Sequence, residues 1–254
     1  MNLQKTARHL LGALLLVLLA WQALLSLGGY SEALFPSPLA TLQGLHELIA
    51  DGVLLKDIGA SLYRFAVGYF SSVLLAMLLG LVLGWYRGVW AYLNPIAQVL
   101  RPISPMAWLP FIVLIFGIGE MPALVIIFIA AFFPVLLATV AAVHDIAPVY
   151  LKVAQNFGIR QPALLAKIVF PAVFPRIATG LHLALGTAWV FLVAGEMVGA
   201  QSGLGFLIID ARNNLRADLL MAAIITIGVL GLLLDGGVTL VERAVSRRFG
   251  SRVA

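Results

Sequence analysis

Four ionisable side chains stand inside long apolar stretches of this sequence: Arg64, Arg101, Glu196 and Asp235. A charge at mid-bilayer costs on the order of 2.5–3.5 kcal/mol on insertion scales, so each of the four needs a partner, water or a task. The chemistry open to them is ion pairing or the attraction of a charged cargo. Catalysis finds no constellation. His9, His46, His144 and His182 fall in separate segments, and none has zinc-ligand spacing to another histidine or an acid. The absence of cysteine excludes disulfides, thiolate metal sites and cysteine nucleophiles. Gly203-Leu204-Gly205 follows no strand and precedes no Lys-Ser/Thr, and Gly-x-x-x-x-Gly-Lys occurs nowhere, so no nucleotide loop is present. The expectation is a chain with no catalytic, cofactor or metal residues of its own, and not an enzyme.

A second kind of chemistry is mechanical. Asp145–Arg176 is the longest polar interruption in the second half, set between Met121–Val143, 23 residues without a charge, and the apolar run Ile177–Gly195. Asp145 reads as an N-cap, and Pro148 falls in the first turn, where its missing N–H costs nothing. Gly158 comes where a short helix needs a left-handed residue to end. Pro162 then opens a second helical run, which Pro171 and Pro175 close off. The reading is helix, tight turn, helix, outside the bilayer core. Val149, Val153 and Phe157 recur at four-residue steps, one face of a helix, with Lys152, Gln155 and Asn156 elsewhere around it. That face either docks on a partner or packs beneath the chain's own helix ends; periodicity does not choose.

The elements that hold these residues are membrane spans. With 62% hydrophobic and 11% charged residues, against about 25% charged in soluble domains, the 254-residue chain is an integral membrane protein. It has room for six spans of about 20 residues and for no additional soluble domain. The spans are expected at 10–28, 61–86, 92–118, 121–143, 177–198 and 219–241, with 144–176 as the polar loop, in one domain over 1–254. Leu10–Leu27 is read as a first span rather than a cleaved signal, being longer than a usual apolar signal region and lacking a nearby Ala-x-Ala site. Pro38–Ala50 reads as an amphipathic helix on the membrane surface. Gly80-x-x-x-Gly84 permits close helix packing. Pro102, Pro105 and Pro110 demand a kinked or broken third span whose freed carbonyls face protein or water. A span starting at Tyr92 puts Arg101 about nine residues in, roughly 13 Å deep. There Arg101 either attracts an anion or ties down the broken helix. Glu196 and Arg64 both fall near the opposite side, where each either snorkels to the interface or pairs, pairing being the simpler fate.

Charge counting orients the chain. With the N-terminus inside, the inner side holds Lys5, Arg8, Arg87, Lys152, Arg160, Lys167, Arg176, Arg243, Arg247, Arg248 and Arg252. The outer side holds Lys56, Arg64, Arg212 and Arg216. The bias places both termini and the 144–176 loop in the cytoplasm, and it explains the net charge of +5 without nucleic acid.

In the loop, Lys152-Val153-Ala154 is followed after three residues by Gly158, and nine residues later by Ile168, Phe170 and Pro171. That spacing resembles the cytoplasmic loop of ABC importer permeases, which runs EAA, three residues, Gly, nine residues, Ile-x-Leu-Pro. Ala154, Gly158, Ile168 and Pro171 match in register, Val153 and Phe170 are apolar replacements, and Lys152 reverses the charge of the family's acid. Arg101–Glu120 and Thr179–Ile208 are similar to the permeases of nitrate, sulfonate, taurine and bicarbonate importers, and the resemblance covers roughly 61–248. It implies an all-α, type I importer-like permease of six spans, acting as a homodimer in the bacterial inner membrane. Two cytoplasmic ATPase subunits, carrying ATP and Mg, would be driven through Lys152, Val153, Ala154, Phe157, Gly158, Ile168 and Pro171. An extracytoplasmic solute-binding protein would deliver a small anion or sulfonate. Two other classes compete. An ion-gradient-driven secondary transporter predicts inverted repeats and a midplane acid pair, neither of which is evident; a membrane scaffold subunit would not need the loop spacing.

Overall fold

The computed structural model describes residues 3–29, 31, 34–159 and 163–248, and all regular structure among them is helical. Ten α-helices follow in order: α1 (Leu3–Gly28), α2 (Pro38–Ala50), α3 (Val53–Trp85), α4 (Arg87–Leu100), α5 (Leu109–Phe116), α6 (Glu120–His144), α7 (Pro148–Asn156), α8 (Phe170–Gly199), α9 (Leu204–Asn213) and α10 (Ala217–Arg248). Four helical segments are long and apolar enough to cross a membrane: Val53–Trp85, Glu120–His144, Leu165–Gly199 and Ala217–Leu240. Leu15–Gly28 of α1 is a shorter apolar stretch.

The third expected span is not one helix. Arg87–Leu100 and Pro105–Phe116 meet at an angle of 83°, with a 3-10 turn at Pro105–Trp108 leading into α5. The break falls at the prolines, whose rings cannot continue the helical ladder. Two details of the polar loop are corrected. Asp145 does not cap α7; its backbone N–H closes α6 on Ala141, and its carboxylate reaches Arg176 instead. Nor do Pro171 and Pro175 end a helix. Leu165–Val169 winds as a π-helix and passes directly into α8, which contains both prolines. Pro171 stands in the first turn of α8, and the π turn just before it loosens the ladder where the rings interrupt it, so the helix bends through instead of stopping. Pro162 lies outside the described residues.

The core is a three-helix body of α3, α6 and α8. Ser61, Gly68, Ser72, Ala76, Gly80 and Gly84 of α3 are all buried, small residues at close to four-residue steps that let backbones approach. A Cβ at Gly80 would lie 2.6 Å from Thr139 Cβ, one at Gly84 2.8 Å from Val143, and one at Gly68 2.9 Å from Ile127. On the other flank of α6, a Cβ at Gly180 would stand 2.5 Å from that of Ala138. Phe65, Tyr69, Val135, Leu185 and Trp189 fill the larger spaces. Without a hydrophobic drive in lipid, this contact and a few polar clasps hold the body together. One is the Tyr69 hydroxyl, which donates to Leu181 O at 2.8 Å.

Candidate functional site

Three polar assemblies stand out, and two lie at opposite ends of the three-helix body. At the α9 end, Arg64 is fully buried and donates from all five of its N–H positions. Its Nε and Nη2 form a fork on Glu120, the Nη2 bond to Oε1 being 2.7 Å. Nη1 reaches Glu196 Oε1 at 2.7 Å and Ser202 O at 2.8 Å, and Nη2 also reaches Ser202 Oγ at 2.6 Å. Ser61 Oγ sits 2.9 Å from both Glu196 oxygens. The start of α9 is then capped by two acids and a hydroxyl from other helices. Gly203 N–H donates to Asp57 Oδ1 at 2.8 Å, Leu204 N–H to Ser61 Oγ at 2.9 Å, and Gly205 N–H to Glu196 Oε2 at 2.9 Å. A helix N-terminus carries unpaired donors and partial positive charge, so carboxylates suit it. Gly203 has φ +100, and a Cβ there would fall 2.4 Å from Glu196 Oε1. The assembly welds α3, α6, α8 and α9 at one end.

At the other end stands α7. Ala154 is 1% exposed and turns inward, whereas Val149, Val153 and Phe157 are 58%, 47% and 79% exposed. Their row therefore does not pack beneath the chain's own helix ends. Lys152 is exposed, and Gly158 has φ +66, the left-handed geometry that ends the helix. Ile168 lies in the π-helical turn and Pro171 in the first turn of α8.

Beside that end, α6, α8 and the break after α4 enclose a cavity of about 490 Å3, lined by Arg101, Pro134, Ala138, Asp145, Arg176, Thr179, Thr187 and their neighbours. Arg176 Nη1 donates to Asp145 Oδ2 at 2.8 Å. Arg101 makes no hydrogen bond or ion pair from its side chain among the described residues. The third assembly joins α8 to α10: His182 meets Asp235 at 3.2 Å and Glu242 at 2.7 Å. So Arg64 and Glu196 come together, Asp235 pairs separately, and Arg101 stands alone among the described residues. Among the described residues no group of acids, histidines and cysteines could hold a metal.

The family described as the binding-protein-dependent transport system inner membrane component matches residues 72–247. The chain belongs to that family. This inner-membrane component is 32% identical over 241 residues to the taurine transport system permease protein TauC of Escherichia coli K12, covering 93% of this chain and 88% of that one. It is 34% identical over 242 residues to the nitrate import permease protein NrtB of Synechocystis, covering 92% and 87%. Its fold matches the structure described as an inward-facing conformation of the MetNI methionine ABC transporter, with a TM-score of 0.65 at 17% identity, over 77% of this chain and 97% of that one. The protein is thus the permease subunit of an ABC importer, a multi-pass inner-membrane protein and not an enzyme.

Sequence reasoning missed several members of the cluster around the permease's buried Arg64–Glu196 pair. Glu120 follows Gly117–Gly119 and reads as a loop acid, although a first-turn acid suits a helix start. Gly203 and Gly205 resemble only a failed nucleotide loop, and nothing local to them signals a carboxylate contact. Asp57 and Ser61 carry a usable signal: with Arg64 they sit at spacings of four and three, on one face of α3.

Proposed function

We propose that two copies of this permease form the pathway of an importer for a small anion or sulfonate, of the taurine and nitrate kind. Each copy contributes six spans, α1 and the bent α4–α5 pair each counted as one, and both termini are cytoplasmic. α7 docks into a groove on a cytoplasmic ATPase subunit, and a solute-binding protein delivers cargo on the α9 side. The observation that carries the reading is the outward apolar row of α7, Val149, Val153 and Phe157. On a water-facing segment such a row invites a partner. The relatives' taurine and nitrate cargoes supply the substrate class.

The test is reconstitution in proteoliposomes with a partner ABC ATPase and a solute-binding protein. Taurine or nitrate uptake is expected to require ATP and binding protein together. Val153→Glu with Phe157→Glu is expected to abolish ATPase attachment while leaving membrane insertion intact. Uptake driven by an ion gradient without ATP would overturn the proposal in favour of a secondary transporter. Single cysteines, added to a chain that has none, should label at Asn156 only from the cytoplasm and at Asn213 only from outside.

A further inference from the structure

The cavity beside α7 has a composition that the fold alone does not explain. Its walls are an exposed face of α8 and a partly buried face of α6. On α8, Arg176, Thr179, Leu183 and Thr187 recur at three- and four-residue steps and are all exposed. A helix face turned to lipid has no use for a guanidinium and two hydroxyls, so this face borders water or protein. Opposite stands Arg101, at the C-terminal end of α4, where the chain turns by 83°. It is level with Pro134–Ala142, the last two to three turns of α6.

Arg101 does not tie the broken helix down. Its own N–H bonds back to Ala97 as an ordinary helix end, and its guanidinium holds no carbonyl of the break. Arg176 does have a partner, Asp145, but both groups are about 60% exposed, and an ion pair that open contributes little to stability. The cavity therefore holds two cations against one acid, and that acid is held by a bond weak enough to exchange. Arginine presents a planar fork suited to oxyanions. A volume of about 490 Å3 takes a small sulfonate together with several waters, each of which occupies roughly 30 Å3 of liquid.

We propose that Arg101 and Arg176 form a low-affinity anion site at the α7 end of the pathway, in which the cargo's sulfonate or nitrate oxygens displace Asp145 from Arg176. The site rests on the importer reading above and names where in the permease the anion is held before release. Asp145 follows α6 and lies three residues before α7, so occupancy frees one exposed clasp between the α6–α7 connection and α8. Weakness is a requirement of such a site: a tight one would retain its cargo.

The experiment places a single cysteine at Ala138 in the assembled complex. It compares the rates at which an anionic and a cationic methanethiosulfonate reagent modify that thiol, each divided by that reagent's rate with a small free thiol. For a unit charge about 6 Å from a thiol in watery surroundings, each rate changes about three-fold in opposite directions, so the anionic-to-cationic ratio changes about ten-fold. Arg101→Gln and Arg176→Gln are each expected to lower the ratio, and Asp145→Asn to raise it. Taurine at high concentration should slow the anionic reagent in the native cavity and not in Arg101→Gln/Arg176→Gln. Should a variant fail to assemble, the native background suffices: added salt is expected to bring the ratio toward one. A native ratio near one that ignores salt, or a fall in the ratio on Asp145→Asn, would overturn the site. Loss of ATP-dependent uptake with these rate effects intact would instead count against the importer reading.

Discussion

Replacing Arg64 by methionine removes the single cation from a cluster that contains Glu196, Glu120 and Asp57. Glu196 is fully buried and would be left with only Ser61 and the Gly205 N–H as partners. Breaking a buried pair by deleting one member costs about 3–5 kcal/mol, because the remaining charge is stranded. At about 2–4 °C per kcal/mol for a chain of this size, the unfolding midpoint should fall by roughly 6–20 °C. Arg64→Met/Glu196→Met removes the stranded charge as well and leaves the Gly205 N–H and Ser61 without that carboxylate, each loss worth about 1–3 kcal/mol. The double variant should therefore be more stable than Arg64→Met alone, and a double-mutant cycle should give a coupling of at least about 1 kcal/mol. The midpoint can be read in detergent with a thiol-reactive dye, using Ala131→Cys as reporter at a fully buried position of a cysteine-free chain. Equal stability of Arg64→Met and the parent, or additive losses in the double variant, would refute the reasoning.

Three further outcomes are expected. Gly80→Ala forces a Cβ to within 2.6 Å of Thr139 and should lower the same midpoint by an overpacking cost of about 1–3 kcal/mol, whereas Gly59→Ala, with nothing within 4 Å on the same helix, should be neutral or gain about 0.5–1 kcal/mol. Gly158→Val puts a β-branched residue at φ +66, costing about 1–2 kcal/mol or more, and should disrupt ATPase attachment in a pull-down while insertion is retained. The hydrogen bond from Arg216 holds the Glu47 carboxyl below its usual value of 4.5. Because the folded value is depressed, the clip between α2 and the start of α10 is present above about pH 4.5 and is lost as pH falls through the folded value; hydrogen exchange of α2 should accelerate there in the parent, and Glu47→Gln should show no such step.

Much of the fold is written in composition. Apolar stretches as long as 121–143 have no alternative to spanning, and three prolines within 102–110 have no alternative to a break. The continuity of α8 through Pro171 and Pro175 was not legible, because proline reads locally as a stop and a π turn has no composition of its own. Asp145 misled for a related reason: an acid before Pro-x-x reads as a cap, but its real partner, Arg176, is 31 residues away. Arg64 and Glu196 drew notice as costly charges, and their pairing is the simplest fate of such charges. Their network was hidden, since Glu120 and Ser202 enter from chain segments that only the packed body brings near.

The two ends of α6 are pinned differently, and this sets a mechanical ratio. The 25-residue helix is about 37 Å long. Its first residue is gripped by Arg64, and Gly119 N–H just before it donates to Gly199 O at 2.7 Å. Its last turn packs Ala142 and Val143 in an apolar cluster, and the polar clasps there, Arg87 on His144 O and Arg176 on Asp145, are exposed. Small residues on α3 and α8 leave α6 no slack along its length, so the three helices behave as one stiff beam. A beam of that length tilted by about 10° about its gripped end sweeps its free end through roughly 6 Å, close to one helical turn. With the α9 end held by its partners, displacement concentrates where the cavity and α7 lie, so that the α9 end serves as the fulcrum and the α7 end as the stroke.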